Sequence, residues 1–217
     1  MCYIGNDYTA SEKKGKLLMK KLITKFQYNS PVTLTFALIS FAVLILGIVT
    51  NGVSTNLFFC AYRSSVANPL TYLRLFTHVL GHADWSHFSG NMVLFLVLGP
   101  MLEEKYGSKL LLAMIVVTAF VSGLFYIIFY PHNALLGASG IVFMMIVLSS
   151  AAGMVAGRIP ITLILVLIIY VGGEMMSGIG VNDGIAHGAH ILGGICGAGF
   201  GFLGINSKIG NWNDKKK

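Results

Sequence analysis

The 217-residue chain is 55% hydrophobic and 11% charged, with a mean hydropathy of +0.77, a balance that excludes an ordinary soluble domain and points to an integral membrane protein. A formal charge of +7 would suggest nucleic acid in a soluble protein, but here the cations are sorted by loop and no nucleic-acid partner is expected. The apolar runs are continuous rather than alternating, which excludes a barrel and predicts an all-α, polytopic fold of six transmembrane helices.

Residues 1–30 form a basic segment carrying Lys13, Lys14, Lys16, Lys20, Lys21 and Lys25. It is too long and too basic for a signal n-region, and no A-x-A site follows the first apolar run, so that run is expected to remain as an anchor. The predicted spans are Val32 to Thr50, Phe88 to Leu102, Leu110 to Tyr130, Ala138 to Gly153, Ile161 to Met176 and Ile185 to Ile205. Together they make one membrane domain, residues 31–205, followed by a basic tail, 206–217. With the N-terminus inside, thirteen of the fifteen Lys and Arg are cytoplasmic and only Arg63 and Arg74 are outside. Both termini are therefore expected in the cytoplasm. Cys2, Cys60 and Cys196 then fall inside, outside and within the last span, so no disulfide is expected. No internal repeat of the transporter kind is present.

The first external connection, about Ser54 to Ser86, is far longer than its neighbours. Leu73, Phe76, Val79 and Leu80 recur in it at helical spacing and Trp85 is an interfacial anchor, which predicts a loop lying in the outer leaflet rather than in water. Polar residues within membranes are costly and few here: His87 and Asn91 open the second span, Ser139 opens the fourth, and His187 and His190 lie near the start of the sixth. All three spans begin at the outer face, so these groups share one layer. At 1.5 Å per residue His190 lies about 7 Å into its helix, and a fourth helix of only about 22 Å sinks Ser139 to a similar depth.

Ala189, Gly193, Gly197 and Gly201 repeat every four residues, a flat ridge on which another helix backbone can lie. Such a ridge is ordinary packing by itself; beside His190 it delivers a base to a nucleophile. A serine hydroxyl attacks only when a base takes its proton, and neutral imidazole titrates in the useful range. Ser139 at a helix start has unpaired backbone N–H groups around it, and His87 and Asn91, four apart, share a face from which both can donate to an oxyanion. No acid stands behind His190, so a dyad is indicated.

These residues resemble the rhomboid family of intramembrane serine proteases, in its six-span bacterial form. Gly137 to Gly140 ("GASG") is similar to the family's G-x-S-G, and Ala189 to Gly197 ("AHILGGICG") to its A-H-x-x-G-x-x-x-G, with Gly137, Gly140, Gly193 and Gly197 as close-packing positions. "HFSGN" from His87 to Asn91 resembles H-x-x-x-N, which the family assigns to the oxyanion hole, and "RLFTH" from Arg74 to His78, with His82, resembles the end of its external loop. Leu73 replaces the common tryptophan before the arginine, and Phe143 replaces a frequent tyrosine that can stack on the histidine. The resemblance covers about Pro69 to Gly201. It implies a multi-pass protein of the plasma or bacterial inner membrane that uses no cofactor and no metal, and cuts transmembrane segments of other proteins near the outer face of the lipid bilayer. It leaves the oligomeric state open.

Two other readings compete. A catalytically inactive relative that binds membrane proteins typically lacks the serine or the histidine, and both are here. A metal transporter using His78, His82, His87, His187 and His190 lacks H-E-x-x-H, clustered acids and inverted halves. The expectation for His78, His82 and His132 is hydrogen bonding in interfacial loops. Glu174 and Asp183 are expected to flank the last external loop, and Gly172, Gly173, Ser177 and Gly178 to loosen the outer end of the fifth span.

Overall fold

The computed structural model describes residues 27–151, 161–166, 168–169 and 187–206. The basic N-terminal segment, Cys2, Arg158, the fifth span beyond Ile169 with Glu174, the last external loop with Asp183, and the tail lie outside the described residues. What is described is helical: α1 (Pro31–Val49), α2 (Val53–Phe58), α3 (Pro69–Thr77) with a 3-10 turn at His78–Leu80, α4 (Trp85–Tyr106), α5 (Ser108–Phe129), α6 (Ser139–Ala151), α7 (Ile161–Val166) and α8 (His187–Asn206). One isolated antiparallel bridge joins Ala61 to Leu135. Among the described residues, α1 and α5 are long and apolar enough to cross a membrane by those criteria alone.

Part of the long external connection is helical: Leu73 and Phe76, noted for their helical spacing, lie in α3, and Val79 and Leu80 lie in the 3-10 turn that follows. The start of α3 has a local cause: Asn68 caps the helix by accepting from the Leu70 N–H at 3.0 Å, and Pro69 occupies the first turn, where a missing N–H costs nothing. Arg74, counted outside by charge, is buried within this loop. It donates to the Tyr62 hydroxyl and, at 2.8 Å, to Ser64 Oγ, and its guanidinium lies 4.1 Å from the Tyr62 ring centroid. Hydrogen bonds and a π face stand in for water around this charge. His78 and His82 make the hydrogen bonds expected of loop histidines, with Nδ1 contacts to the Arg74 and Leu80 carbonyls at 3.0 and 3.2 Å, and both are buried within the protein.

In a bilayer the hydrophobic effect does not pull helices together, so close packing and polar contacts must. Phe36 of α1 stacks on Phe95 of α4 at 4.6 Å, and Gly99 brings the α4 backbone against Thr33. At the far end of this pair, the Glu103 carboxylate accepts from the Val32 and Thr33 N–H groups at 2.9 and 3.0 Å, from the Thr33 hydroxyl at 2.8 Å and from Ser108 Oγ at 2.8 Å. One buried anion thus caps the N-terminus of α1 and ties it to α4 and α5. The core centres on α6, whose Ile141, Met144, Met145, Val147 and Leu148 are fully enclosed, with α4, α5, α7 and α8 packed around it.

Candidate active site

The segment that leads into α6 is fixed from both sides before it reaches the serine. Leu135 exchanges two backbone hydrogen bonds with Ala61, both 2.8 Å, and the Gly137 N–H donates to the His78 carbonyl at 3.0 Å. Gly137 has φ +115°, a conformation open to glycine, and a Cβ there would stand 2.6 Å from His87 Nε2. The glycine is required twice, by its backbone and by its neighbour. The chain then turns into α6, with Ser139 in the first turn, where the leading N–H groups have no carbonyl partner in the helix.

His190 meets the serine: its Nε2 lies 2.8 Å from Ser139 Oγ, although the two residues are 51 positions apart. The approach depends on the small residues of α8. A Cβ on Gly193 would fall 2.0 Å from the Gly140 carbonyl oxygen, and one on Gly197 would fall 2.3 Å from that of Met144. A Cβ on Gly140 would in turn meet the Ala189 oxygen at 3.2 Å. No side chain larger than hydrogen fits at Gly193 or Gly197 without separating the helices. Phe143 stacks on the His190 ring at 4.5 Å and 7°, holding the imidazole plane by its face. The His187 ring is 6.4 Å from that of His190, one turn nearer the start of α8.

His87 and Asn91 come to the same place from α4. Asp84 caps that helix, accepting from the His87 N–H at 2.8 Å, so the cap and the histidine are set by one contact. The Ala83 N–H points at His87 Nδ1 over a long 3.5 Å, which favours the tautomer with its proton on Nε2, the nitrogen beside Gly137. Asn91 Nδ2 gives one hydrogen to the His87 carbonyl at 3.0 Å, keeps the second, and lies 3.8 Å from the Cβ position of Gly137. The His82 ring packs edge-on against His87 at 5.1 Å and against Phe88 at 5.4 Å. Burial lowers the pKa of His78 and of His82 to about 4, so both loop imidazoles are neutral at physiological pH.

The site residues named from the sequence therefore converge: Ser139 with His190, His87 and Asn91 beside Gly137, and Gly140, Gly193 and Gly197 at the helix contact. His132 is exposed and stands apart. Among the described residues no three of His, Cys, Asp or Glu are grouped as metal ligands would be. Three contributors escaped the sequence reading. Asp84 had a signal, an Asp three residues before His87 at the start of an apolar run. The His78 carbonyl and the Glu103 cap had none, because both act on backbone groups far away in sequence. Chemically, a hydroxyl within hydrogen-bond reach of an imidazole, beside N–H donors at a helix start, can attack a carbonyl and hold the resulting oxyanion.

These features define a helical membrane protein with a serine and a histidine paired at one end of two packed helices. Residues 69–207 match the family model described as the Rhomboid domain, so the chain belongs to the rhomboid family, whose members are as a rule intramembrane serine proteases. No curated protein matches the chain.

Proposed function

We propose that this protein is a serine endopeptidase that cleaves transmembrane segments of other membrane proteins, working as a six-span bundle with both termini in the cytoplasm. The observation that carries the reading is the 2.8 Å contact between His190 Nε2 and Ser139 Oγ. His190 takes the hydroxyl proton as Ser139 Oγ attacks the scissile carbonyl, and returns it to the leaving amine when the tetrahedral intermediate collapses. Water, deprotonated by the same imidazole, then releases the acyl group from the serine. The His87 Nε2 proton, the second Asn91 amide hydrogen and the N–H groups at the start of α6 are the donors for the oxyanion. A substrate helix must unwind locally before its carbonyl can enter, since an intact helix keeps each carbonyl in an i to i−4 bond.

The purified chain, incubated in detergent with a model transmembrane substrate and separately with a fluorophosphonate probe, tests this directly. Ser139→Ala and His190→Ala each lose cleavage and labelling, while His187→Ala retains both. Cleavage surviving in Ser139→Ala, with contaminating proteases excluded, removes the assignment. Loss at position 187 with activity kept at 190 reassigns the base.

A further inference from the structure

Away from the active site, a groove of about 500 Å³ runs between α1 and α5. Phe36 and Ile39 form one wall and Leu112 and Val116 the other, with Phe76 and Leu80 of the external loop closing its top. We propose that this groove binds one acyl chain of an anionic phospholipid from the cytoplasmic leaflet, with the phosphate at the start of α5 beside Lys109. The placement of the groove rests on the membrane orientation given above; the groove itself does not.

Three observations select this occupant. The first is depth. From Pro31 to Ile39 the α1 wall rises about 12 Å, and from Ser108 to Ala119 the α5 wall rises about 16 Å, against about 15 Å for half of a hydrocarbon core. The loop roof ends the groove at the height where a single leaflet ends. The second is polarity. The two hydroxyl groups in the lining are already engaged, Thr35 with the Tyr28 hydroxyl at 2.7 Å and Ser108 with Glu103 at 2.8 Å, so the walls offer a ligand apolar surface only.

The third is charge at the mouth. Lys109 is exposed and stands three residues before Leu112 and seven before Val116, on the ridge that forms the α5 wall. The α5 N-terminus next to it has no side-chain cap, leaving its first N–H groups available to a phosphate. Glu103 is close by, but it is buried and its oxygens are held by the α1 N-terminus, so its charge is turned inward. A bound chain would also support the active site from below. Phe76 and Leu80 flank His78, and the His78 carbonyl holds the Gly137 N–H two residues before the serine.

Native mass spectrometry of the delipidated full chain, titrated with phosphatidylglycerol or phosphatidylcholine of identical acyl chains, reads this without reference to proteolysis and can use Ser139→Ala protein. The expected result is a single-lipid adduct favouring phosphatidylglycerol. Lys109→Gln reduces that preference about five-fold, the contribution of one interfacial lysine, and leaves the phosphatidylcholine adduct unchanged. Ile39→Trp with Leu112→Trp fills the groove and lowers both adducts to the level of non-specific micellar binding; both positions are half-exposed, so the larger rings have room to fold. Adducts that persist in the filled variant, a preference insensitive to Lys109, or a second protein chain in place of lipid each overturn the proposal.

Discussion

Replacing Gly193 by alanine adds one methyl group where α8 lies against the first turn of α6. The new Cβ would stand 2.0 Å from the Gly140 carbonyl oxygen, whereas ordinary contact begins near 3.4 Å. The obstacle is backbone, not a side chain that can rotate away, so the helices must part by about 1.4 Å or α8 must turn. Either movement carries His190 with it and stretches the 2.8 Å contact to Ser139 beyond hydrogen-bond length. A misplacement of about 1 Å can cost about 10²-fold in rate, and at least that loss is expected in both substrate cleavage and fluorophosphonate labelling. Stability should change much less, because overpacking costs about 1 to 3 kcal/mol while Gly→Ala within a helix returns up to about 1 kcal/mol. Gly199→Ala is the matched control on the same helix. Nothing lies within 4 Å of its Cβ position, so the parental rate and equal or higher thermal stability are expected. Parental labelling of Gly193→Ala, or equal losses in the two variants, would refute the claim that this close approach sets the dyad.

The proposed oxyanion donors give a graded outcome: His87→Ala and Asn91→Ala should each slow cleavage by about 10² to 10³, with Ser139 and His190 still in place, and a double variant cleaving at the parental rate would reduce both residues to structural roles. Glu103→Ala leaves the start of α1 with buried, unpaired donors and should cost about 2 to 4 kcal/mol, seen as an earlier unfolding midpoint in a denaturing-detergent titration. Acid should loosen the external loop. His78 and His82 titrate near 4 when folded and near 6.5 when exposed, so their contribution is complete above pH 6.5 and is lost as the pH falls from there towards 4. Thermal midpoints measured from pH 7 to pH 4.5 should decline, and less steeply in His82→Asn; a flat profile would show that these rings are hydrated.

Much of the candidate site is legible in the sequence because its parts are local patterns. Gly137 to Gly140 sits at the edge of an apolar run, and the four-residue recurrence of Ala189, Gly193 and Gly197 is a helical surface written directly in sequence. Stacking of Phe143 on His190 agrees with what the family resemblance implied for the aromatic four residues after Ser139. Span ends were less legible, since hydropathy reports solvent and not backbone hydrogen bonding: α4 continues through Glu103 to Tyr106, past the point where its apolar run stops at Leu102. Charge counting gave Arg74 a side of the membrane but not its burial, which depends on Tyr62 and Ser64 folding back over it. Hydrogen bonding by His78 and His82 follows from their polarity, but their burial does not. A sequence shows that imidazole is polar; it does not show that a neighbouring carbonyl has replaced water.

The enclosure of α6 has a mechanical consequence. A helix bathed in lipid adjusts to a thinner or thicker bilayer by tilting, because its apolar surface must match the hydrocarbon around it. With Met144 through Leu148 all buried, and those five consecutive residues covering every direction around the axis, α6 has almost no surface through which lipid can act on it. Mismatch strain falls on α1, α4, α5 and α8, whose outward faces are exposed. The height of Ser139 is therefore referenced to protein rather than to membrane, and a change of bilayer reaches the Ser139–His190 pair only through α8, whose Ile195, Phe202 and Leu203 are exposed.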